Sequence, residues 1–194
     1  MRPIVLRGGL EVANPLEVAV EFLEKYGKYE TYRDASPASF GEADLRLANR
    51  GGARISAAEI AAILARRTRI ERSLRAIPAD ASLAARTIPW TSLARLYDAF
   101  ADIRGVGLSK MTKTLHKKRP GLIPMLDSVV QAYLPPHEEG ASFGERATAL
   151  TRSYKEDLDR NRAALREAKR NLAARDHVIT EVRLFDLMIW SVLA

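Results

Sequence analysis

Residues 102–130 read DIRGVGLSKMTKTLHKKRPGLIPMLDSVV, and this stretch is the most informative part of the 194-residue chain. Two glycines flank Val106, and six basic residues but no acidic residue lie from Arg104 to Arg119. A Pro-bounded apolar patch and then Asp127 follow. Glycine accepts backbone conformations that other residues avoid, so Gly-Val-Gly between two helical patterns predicts a tight turn. We therefore expect a helix, a turn and a second helix, with Asp127 opening a third.

The rest of the chain carries helical signals. Asn14-Pro15 and the Ser56-to-Glu59 spacing are patterns that begin helices, and apolar residues recur at intervals of three and four in most segments. We expect the first helix to end near Gly27. No segment alternates between apolar and polar residues over a strand's length. The sequence therefore predicts an all-α fold: a two-lobed helical domain over 1–194 with a helix-hairpin-helix motif at about 92–134.

Composition limits the classes of function. A formal net charge of +7 and a pI near 9.9 favour a polyanionic partner, although a general solubility bias explains the charge equally well. The chain has no cysteine, which excludes disulfides, thiol catalysis and iron–sulfur clusters. The histidines, His116, His137 and His177, are not spaced like metal ligands, so we expect neither a metal nor another cofactor.

The ends of the chain predict its location. The first fifteen residues lack the apolar core of a signal peptide. The apolar segment 178–194 is interrupted by Glu181, Arg183 and Asp186, which is typical of a buried core helix and not of a membrane span. We expect Trp190 in this segment to lie in the core. We further expect a cytoplasmic monomer with no membrane partner.

The hairpin predicts an anion site. A glycine turn before a helix leaves the first amide groups of that helix open to a phosphate, at the positive end of the helix dipole. Gly107 in particular is predicted to take a positive φ angle. The predicted DNA-binding residues are Arg104, Gly105, Val106, Gly107, Ser109, Lys110, Lys113, Lys117, Lys118 and Arg119. The alternative interpretation is a solvated basic face with no ligand.

The segments IRGVGLSKMTKTL and LIPMLDSVV together resemble the core motif of the helix-hairpin-helix DNA glycosylase superfamily, which includes endonuclease III and the adenine glycosylases. Gly107 and Asp127 lie 20 positions apart, as we expect in endonuclease III. The resemblance implies that a flipped nucleotide lies between two helical lobes, that Asp127 is the catalytic carboxylate and that the hairpin contacts DNA. More loosely, TKTLHKKRPGLIPMLDSVV resembles a bacterial protein family of unassigned function.

Several positions depart from the superfamily's pattern. Ser109 stands where bifunctional members carry a Schiff-base lysine, which implies an enzyme without lyase activity. Arg104 replaces the common proline, and Ser128-Val129 replaces the usual Thr-His. The cluster-binding cysteines of endonuclease III are absent.

Asp127 has two interpretations. As a catalytic group, its negative charge would stabilise the positive charge that develops on the sugar when the base departs, or it would activate a water. As a structural group, an aspartate before an apolar helix is a good N-cap, which contributes typically ~1 kcal/mol. A carboxylate exposed at the mouth of a cleft would indicate the enzyme, and one bonded to the amides of residues 129 and 130 would indicate the cap.

Three hypotheses of function follow. The first is a DNA-binding protein that acts as a monofunctional glycosylase on a damaged or modified base. The second is a non-catalytic nucleic-acid-binding module in which Asp127 is only a helix cap. The third is an interaction protein whose basic face meets an acidic partner.

Overall fold

The computed structural model describes residues 1–32, 36–135 and 141–194. These residues form ten α-helices and one short antiparallel ribbon, β1 (Ile4–Val5) with β2 (Glu11–Val12), whose strands are joined through a 3-10 turn at Arg7–Gly9. The helices are α1 (Pro15–Glu30), α2 (Glu42–Arg50), α3 (Ala57–Leu64), α4 (Arg67–Arg75), α5 (Trp90–Asp98), α6 (Leu108–His116), α7 (Ser128–Tyr133), α8 (Phe143–Arg160), α9 (Arg162–Ala173) and α10 (Glu181–Leu193). The predicted all-α class is confirmed.

Some helix starts follow the capping patterns, and the predicted helix end does not. The first helix begins at Pro15 as predicted, although the Asn14 side chain makes no capping hydrogen bond. The Ser56 hydroxyl accepts from Glu59 N at 3.3 Å, and the Glu59 carboxylate accepts from Ser56 N at 2.8 Å, which is the predicted capping box. The prediction that α1 ends at Gly27 is wrong, because the helix continues to Glu30. A glycine inside a helix costs about 1 kcal/mol, and here the burial of Tyr29 in the following turn offsets that cost.

Most of the buried apolar side chains form one large cluster to which every helix contributes, and Tyr29, Leu47 and Met125 form a small second cluster. The most extensive packing is that of α5 along α8. Tyr97 and Phe100 are fully buried, as the apolar stripe at the end of α5 predicts. The division into two lobes stays a prediction, since the cluster runs without a break from Ile4 to Ile189.

The hairpin lies between α5 and α6, as predicted, but its turn uses different residues. The positive φ angles are at Asp102 (60°) and Gly105 (83°). Gly107 has φ −90° and ψ −173°, the extended backbone of an ordinary N-cap, so the prediction of a positive φ at Gly107 is wrong. The chain has already reversed direction before it reaches this residue.

Gly105 is also packed against a carboxylate. A Cβ atom at Gly105 would overlap the Glu59 side chain, whereas a Cβ at Gly107 would meet no atom within 4 Å. The turn therefore needs glycine at Gly105 for two reasons, backbone conformation and space, and at Gly107 for neither.

We predict that Gly105→Ala lowers the free energy of unfolding by about 1–3 kcal/mol, because it adds backbone strain and displaces Glu59. Gly107→Ser is the matched control. We expect it to be neutral or slightly stabilising, since serine is a preferred N-cap residue. Urea denaturation of both variants measures this difference, and equal destabilisation by the two would contradict the assignment of the turn.

Candidate nucleic-acid interface

The Asp127 carboxylate is folded onto the helix that it begins. Its Oδ1 atom accepts from Val129 N at 3.2 Å and from Val130 N at 3.1 Å. Its Oδ2 atom accepts from Trp190 Nε1 at 2.9 Å and lies 3.8 Å from Lys113 Nζ. Asp127 is only 6% exposed. This is the arrangement that we expect of the capping interpretation.

Trp190 is the partner that sequence reasoning missed. The prediction that it lies in the core is wrong, because it is 41% exposed on the last turns of α10. Its indole N–H reaches back across 63 positions to Asp127. An apolar stripe predicts that a tryptophan packs, but it does not indicate which polar group will accept its single N–H.

We predict that Asp127→Asn keeps the helix cap, because asparagine caps a helix about as well as aspartate. Its amide nitrogen cannot accept from Trp190 Nε1, so we expect a cost of only about 0.5–1.5 kcal/mol for that lost hydrogen bond. Asp127→Ala removes the cap and leaves the Trp190 N–H without its acceptor, so we expect it to cost about 1–3 kcal/mol. Urea denaturation distinguishes the two. A large decrease in the unfolding free energy of Asp127→Asn would show that the negative charge near Lys113 contributes more to stability than the cap does.

The lysines of the hairpin helix are not an open basic face. Lys110 Nζ donates to both Glu59 oxygens, at 2.6 and 2.8 Å. The hydrogen bonds from Lys110 and from Ser56 N lower the pKa of Glu59, so this carboxyl is ionised at neutral pH. Lys113 lies near Asp127, and its Nζ donates to Gly52 O at 3.5 Å. The sequence of α6 contains no acidic residue, but acidic residues of other elements pair with its lysines.

The last basic residues of the stretch are interior or nearly so. Lys117 Nζ is 3.5 Å from Glu30, and Lys118 Nζ is 2.8 Å from Asp44. Lys118 is 3% exposed and Arg119 is 2% exposed. Neither side chain is open to a phosphate in this structure, and their contact with DNA stays a prediction.

Arg119 instead donates to backbone carbonyls. Its Nη1 atom donates to Pro37 O at 2.8 Å and to Lys118 O at 2.6 Å. Its Nη2 atom donates to Leu74 O at 2.6 Å and to Ile77 O at 2.7 Å. Leu74 lies in the last turn of α4 and Ile77 two residues beyond it, so this guanidinium caps the end of α4 from the turn that follows α6.

Part of the predicted hairpin site remains accessible. Arg104, Gly105 and Gly107 are exposed, and Ser109 is half-buried. The side chain of Val106 is buried in the core, so only its backbone could meet a ligand. No side chain caps the start of α6, so its first amide groups are available to an anion.

A second basic surface lies on α4. Residues 66–75 contain five arginines and one glutamate, a net charge of +4 within a chain of +7. We call Arg69, Arg72 and Arg75 the arginine face. They are exposed and recur every third residue, so they share one side of the helix. Across the part of the chain that the structure describes, none of the three forms an ion pair.

The basic residues of α4 are evident in the sequence, but a count of charges does not show whether α4 or the hairpin stretch is the exposed basic surface. Ile70 and Leu74 are fully buried, and this apolar pair turns the three arginines outward. The hairpin stretch has more basic residues, yet the acids that neutralise it are distant in sequence. Only the tertiary structure shows which of the two stretches has basic side chains that no acidic residue neutralises.

Hydrogen bonds and an ion pair join the α3–α4 segment to the hairpin. Arg66, just before α4, donates to the carbonyl of Ala101 and, at 3.5 Å, to that of Ala99. Glu59 of α3 binds Lys110 of α6 at 2.6 Å. The start of α4 and the hairpin turn therefore adjoin one another.

A buried group of charges lies where α1, α6 and α10 meet. Arg183 donates to Glu30 Oε1 at 2.8 Å and lies 3.8 Å from Asp186 Oδ2. Burial alone would raise the pKa of Glu30, but Arg183 and Lys117 outweigh it and lower that pKa. Burial raises the pKa of Asp186 to about 7, because Arg183 opposes this effect only in part.

We predict that Asp186 makes the fold less stable as pH rises from about 4 to about 7. An unfolded aspartate loses its proton near pH 3.9, whereas the folded one keeps it to about pH 7. The folded state therefore binds more protons in this window. Asp186→Asn should flatten the pH dependence of the unfolding free energy there, and urea melts at intervals across the window measure it. An unchanged dependence would contradict the raised pKa.

Other features restrict what the site can hold. Among the described residues, no group of three acidic or histidine side chains is placed to bind a metal ion. His137 lies outside the described residues. No described helix is both long and apolar enough to cross a membrane.

Comparison with known proteins adds a family but no activity. The model of a family of unknown function, DUF6308, matches residues 19–192, and the chain therefore belongs to that family. No curated protein and no solved structure matches the chain.

Proposed function

We propose that this protein binds nucleic acid duplexes through the arginine face of α4 and the adjoining hairpin turn, without cleaving a glycosidic bond. The observation that carries the proposal is the set of three exposed arginines, Arg69, Arg72 and Arg75, none of them in an ion pair with a described residue. Phosphate neutralisation by such side chains supplies most of the affinity of non-specific binding.

The spacing of the arginine face suits a phosphate backbone. Six residues of helix separate Arg69 from Arg75, which is about 9 Å along the axis. One strand of a duplex presents a phosphate about every 3.4 Å of its axis. A planar guanidinium donates two parallel hydrogen bonds to a phosphate, which favours arginine over lysine at such contacts.

The hairpin adds a secondary anion site. Exposed Arg104 stands beside the uncapped start of α6, whose amide groups favour a negative ligand. The Glu59 carboxylate lies against the same turn and weakens the positive potential there. These features support phosphate contact chiefly on α4, with the hairpin turn assisting.

The placement of Asp127 supports the non-catalytic form of the proposal. A glycosylase needs its carboxylate beside a nucleotide flipped into a pocket. Here both carboxylate oxygens accept hydrogen bonds, from the α7 amides and from Trp190. Asp127 lines neither the cleft of about 380 Å³ beside Lys169 nor the cleft of about 260 Å³ beside Asn161.

We predict that reversing the charge of Arg69 and Arg72 with Glu weakens duplex binding by about tenfold or more. The slope of log K against log salt concentration should become shallower by about two, because two phosphate contacts are lost. The matched control reverses Arg170 and Arg175, exposed on and just after α9. Each double substitution lowers the net charge of the protein by four, from +7 to +3. Fluorescence anisotropy with one labelled duplex at several salt concentrations compares them.

The outcomes separate the possibilities. Equal weakening by the two double variants would mean that net charge alone drives binding, and no weakening by either would overturn the proposal. Duplex RNA and single-stranded DNA in parallel titrations identify the preferred nucleic acid.

The non-catalytic part has a test of its own. We expect no base release from duplexes with deaminated, oxidised, alkylated or modified bases, scored by alkaline cleavage. Release by the wild type that Asp127→Asn reduces by orders of magnitude would show that Asp127 is the catalytic carboxylate of a glycosylase. Borohydride trapping would then be expected to find no adduct, because Ser109 offers only a hydroxyl.

A further inference from the structure

A cleft of about 380 Å³ lies where α1, α6, α9 and α10 meet, and neither the arginine face nor Asp127 contributes to its lining. Its volume falls in the range of small-molecule sites. Its polar lining comes from Glu30, Tyr32, Thr180, His116 and four basic residues, and its apolar lining comes mainly from prolines and the segment before α10.

The lining is electropositive. The four basic residues are Lys117, Lys118, Lys169 and Arg183, and the described lining has one carboxylate, Glu30. Lys118 is paired with Asp44, which lies outside the lining, so the excess of positive charge centres on Lys169. That carboxylate already accepts from Arg183, with an Nη2 to Oε1 distance of 2.7 Å. Lys169 is exposed on α9 and forms no ion pair with any residue in the described ranges. An anion entering the cleft would therefore be attracted to Lys169 and to the positive charge around it.

His116 contributes a buried hydrogen-bond acceptor. Its Nδ1 atom is 2.7 Å from Ile123 O, and because a carbonyl can only accept, Nδ1 carries the proton. Nε2 then presents a lone pair, for which the described residues supply no donor. The residue borders the cleft but is only 1% exposed. Burial, followed by the charge of Arg183, lowers the pKa of His116 to about 3, so the ring is neutral at physiological pH.

The walls of the cleft offer apolar surface for the rest of a ligand. Pro37 and Pro120 line it, together with Ile179 and Val178 just before α10. Val178 is 69% exposed, the most exposed of the large apolar residues. A ligand with an apolar or aromatic part would cover this surface as its anionic part meets Lys169.

We propose that this cleft binds a phosphate ester that carries a free hydroxyl group, of the size of a nucleoside monophosphate. The phosphate lies towards Lys169, a sugar hydroxyl donates to His116 Nε2, and the remainder packs on the proline walls. This proposal is independent of duplex binding, since it uses none of the residues of the arginine face.

Isothermal titration with adenosine monophosphate tests the site, with ribose 5-phosphate, adenosine and inorganic phosphate as comparison ligands. We expect the nucleotide to bind best. Ribose 5-phosphate binding equally well would assign the site to sugar phosphates, which have the same two recognised groups. Binding of adenosine as tight as that of the nucleotide would overturn the role of the phosphate.

Lys169→Ala should weaken nucleotide binding about tenfold, because a charge-assisted hydrogen bond is lost. Arg170→Ala is the matched control: it removes one positive charge from the next residue of α9, which is exposed and does not line the cleft. We expect the control to bind as the wild type does. Equal affinities in both variants would overturn the proposed position of the phosphate.

His116→Asn keeps a donor near the Ile123 carbonyl and removes the acceptor at Nε2. We expect it to lose affinity for the nucleotide but not for inorganic phosphate. Because this residue is buried, a second measurement avoids the variant: the wild type should bind a nucleotide without ribose hydroxyls several-fold more weakly. Unchanged affinity for that analogue would overturn the hydroxyl contact.

The Arg69→Glu, Arg72→Glu protein separates the two proposals. We expect it to bind the nucleotide as the wild type does while its duplex affinity falls. Simultaneous loss of both would overturn the independence of the cleft. Absence of any nucleotide binding by the wild type would overturn the cleft proposal and leave duplex binding as a separate question.

Discussion

The hydrogen bonds of the Arg119 guanidinium fix the relation between the parts of this fold that carry charge. Arg119 is the largest fully buried side chain, and burying a charge is unfavourable unless hydrogen bonds replace its water. Four backbone carbonyls do so, from the segment before α2, from the end of α4 and from Arg119's own turn. The end of α4 is thereby held to the end of α6. The start of α4 is held to the hairpin by the hydrogen bond from Arg66 to the Ala101 carbonyl. The helix that carries the arginine face is therefore anchored at both ends.

The all-α class and the positions of the caps could be predicted because they depend on local rules. Ser56 with Glu59 and Asp127 before Ser128 are capping patterns that span three or four residues, and the structure shows the expected hydrogen bonds. The end of α1 could not be predicted in this way. Gly27 favours termination locally, but the tertiary burial of the next turn decides otherwise.

The candidate site was harder to predict, because electrostatic neutralisation is a long-range property. Lys110 has no acid within its own helix, but Glu59 lies 51 positions earlier and binds it. Lys118 meets Asp44 in the same way. The arginines of α4 look no more prominent in the sequence than the hairpin lysines. What distinguishes them is that no distant carboxylate in the described structure has been brought to them.

The exposed indole of Trp190 gives the fold an optical reporter. The chain has two tryptophans, and the other, Trp90, lies under the guanidinium of Arg152 with 4.2 Å between the charge and the ring centroid. Trp190 is partly in water and donates to a carboxylate on a different helix. Separation of α10 from α7 would transfer its N–H from Asp127 to solvent, and so would change its emission. Single-tryptophan proteins made by replacing Trp90 with Phe would therefore reveal whether the carboxyl-terminal helix detaches before the rest of the molecule unfolds.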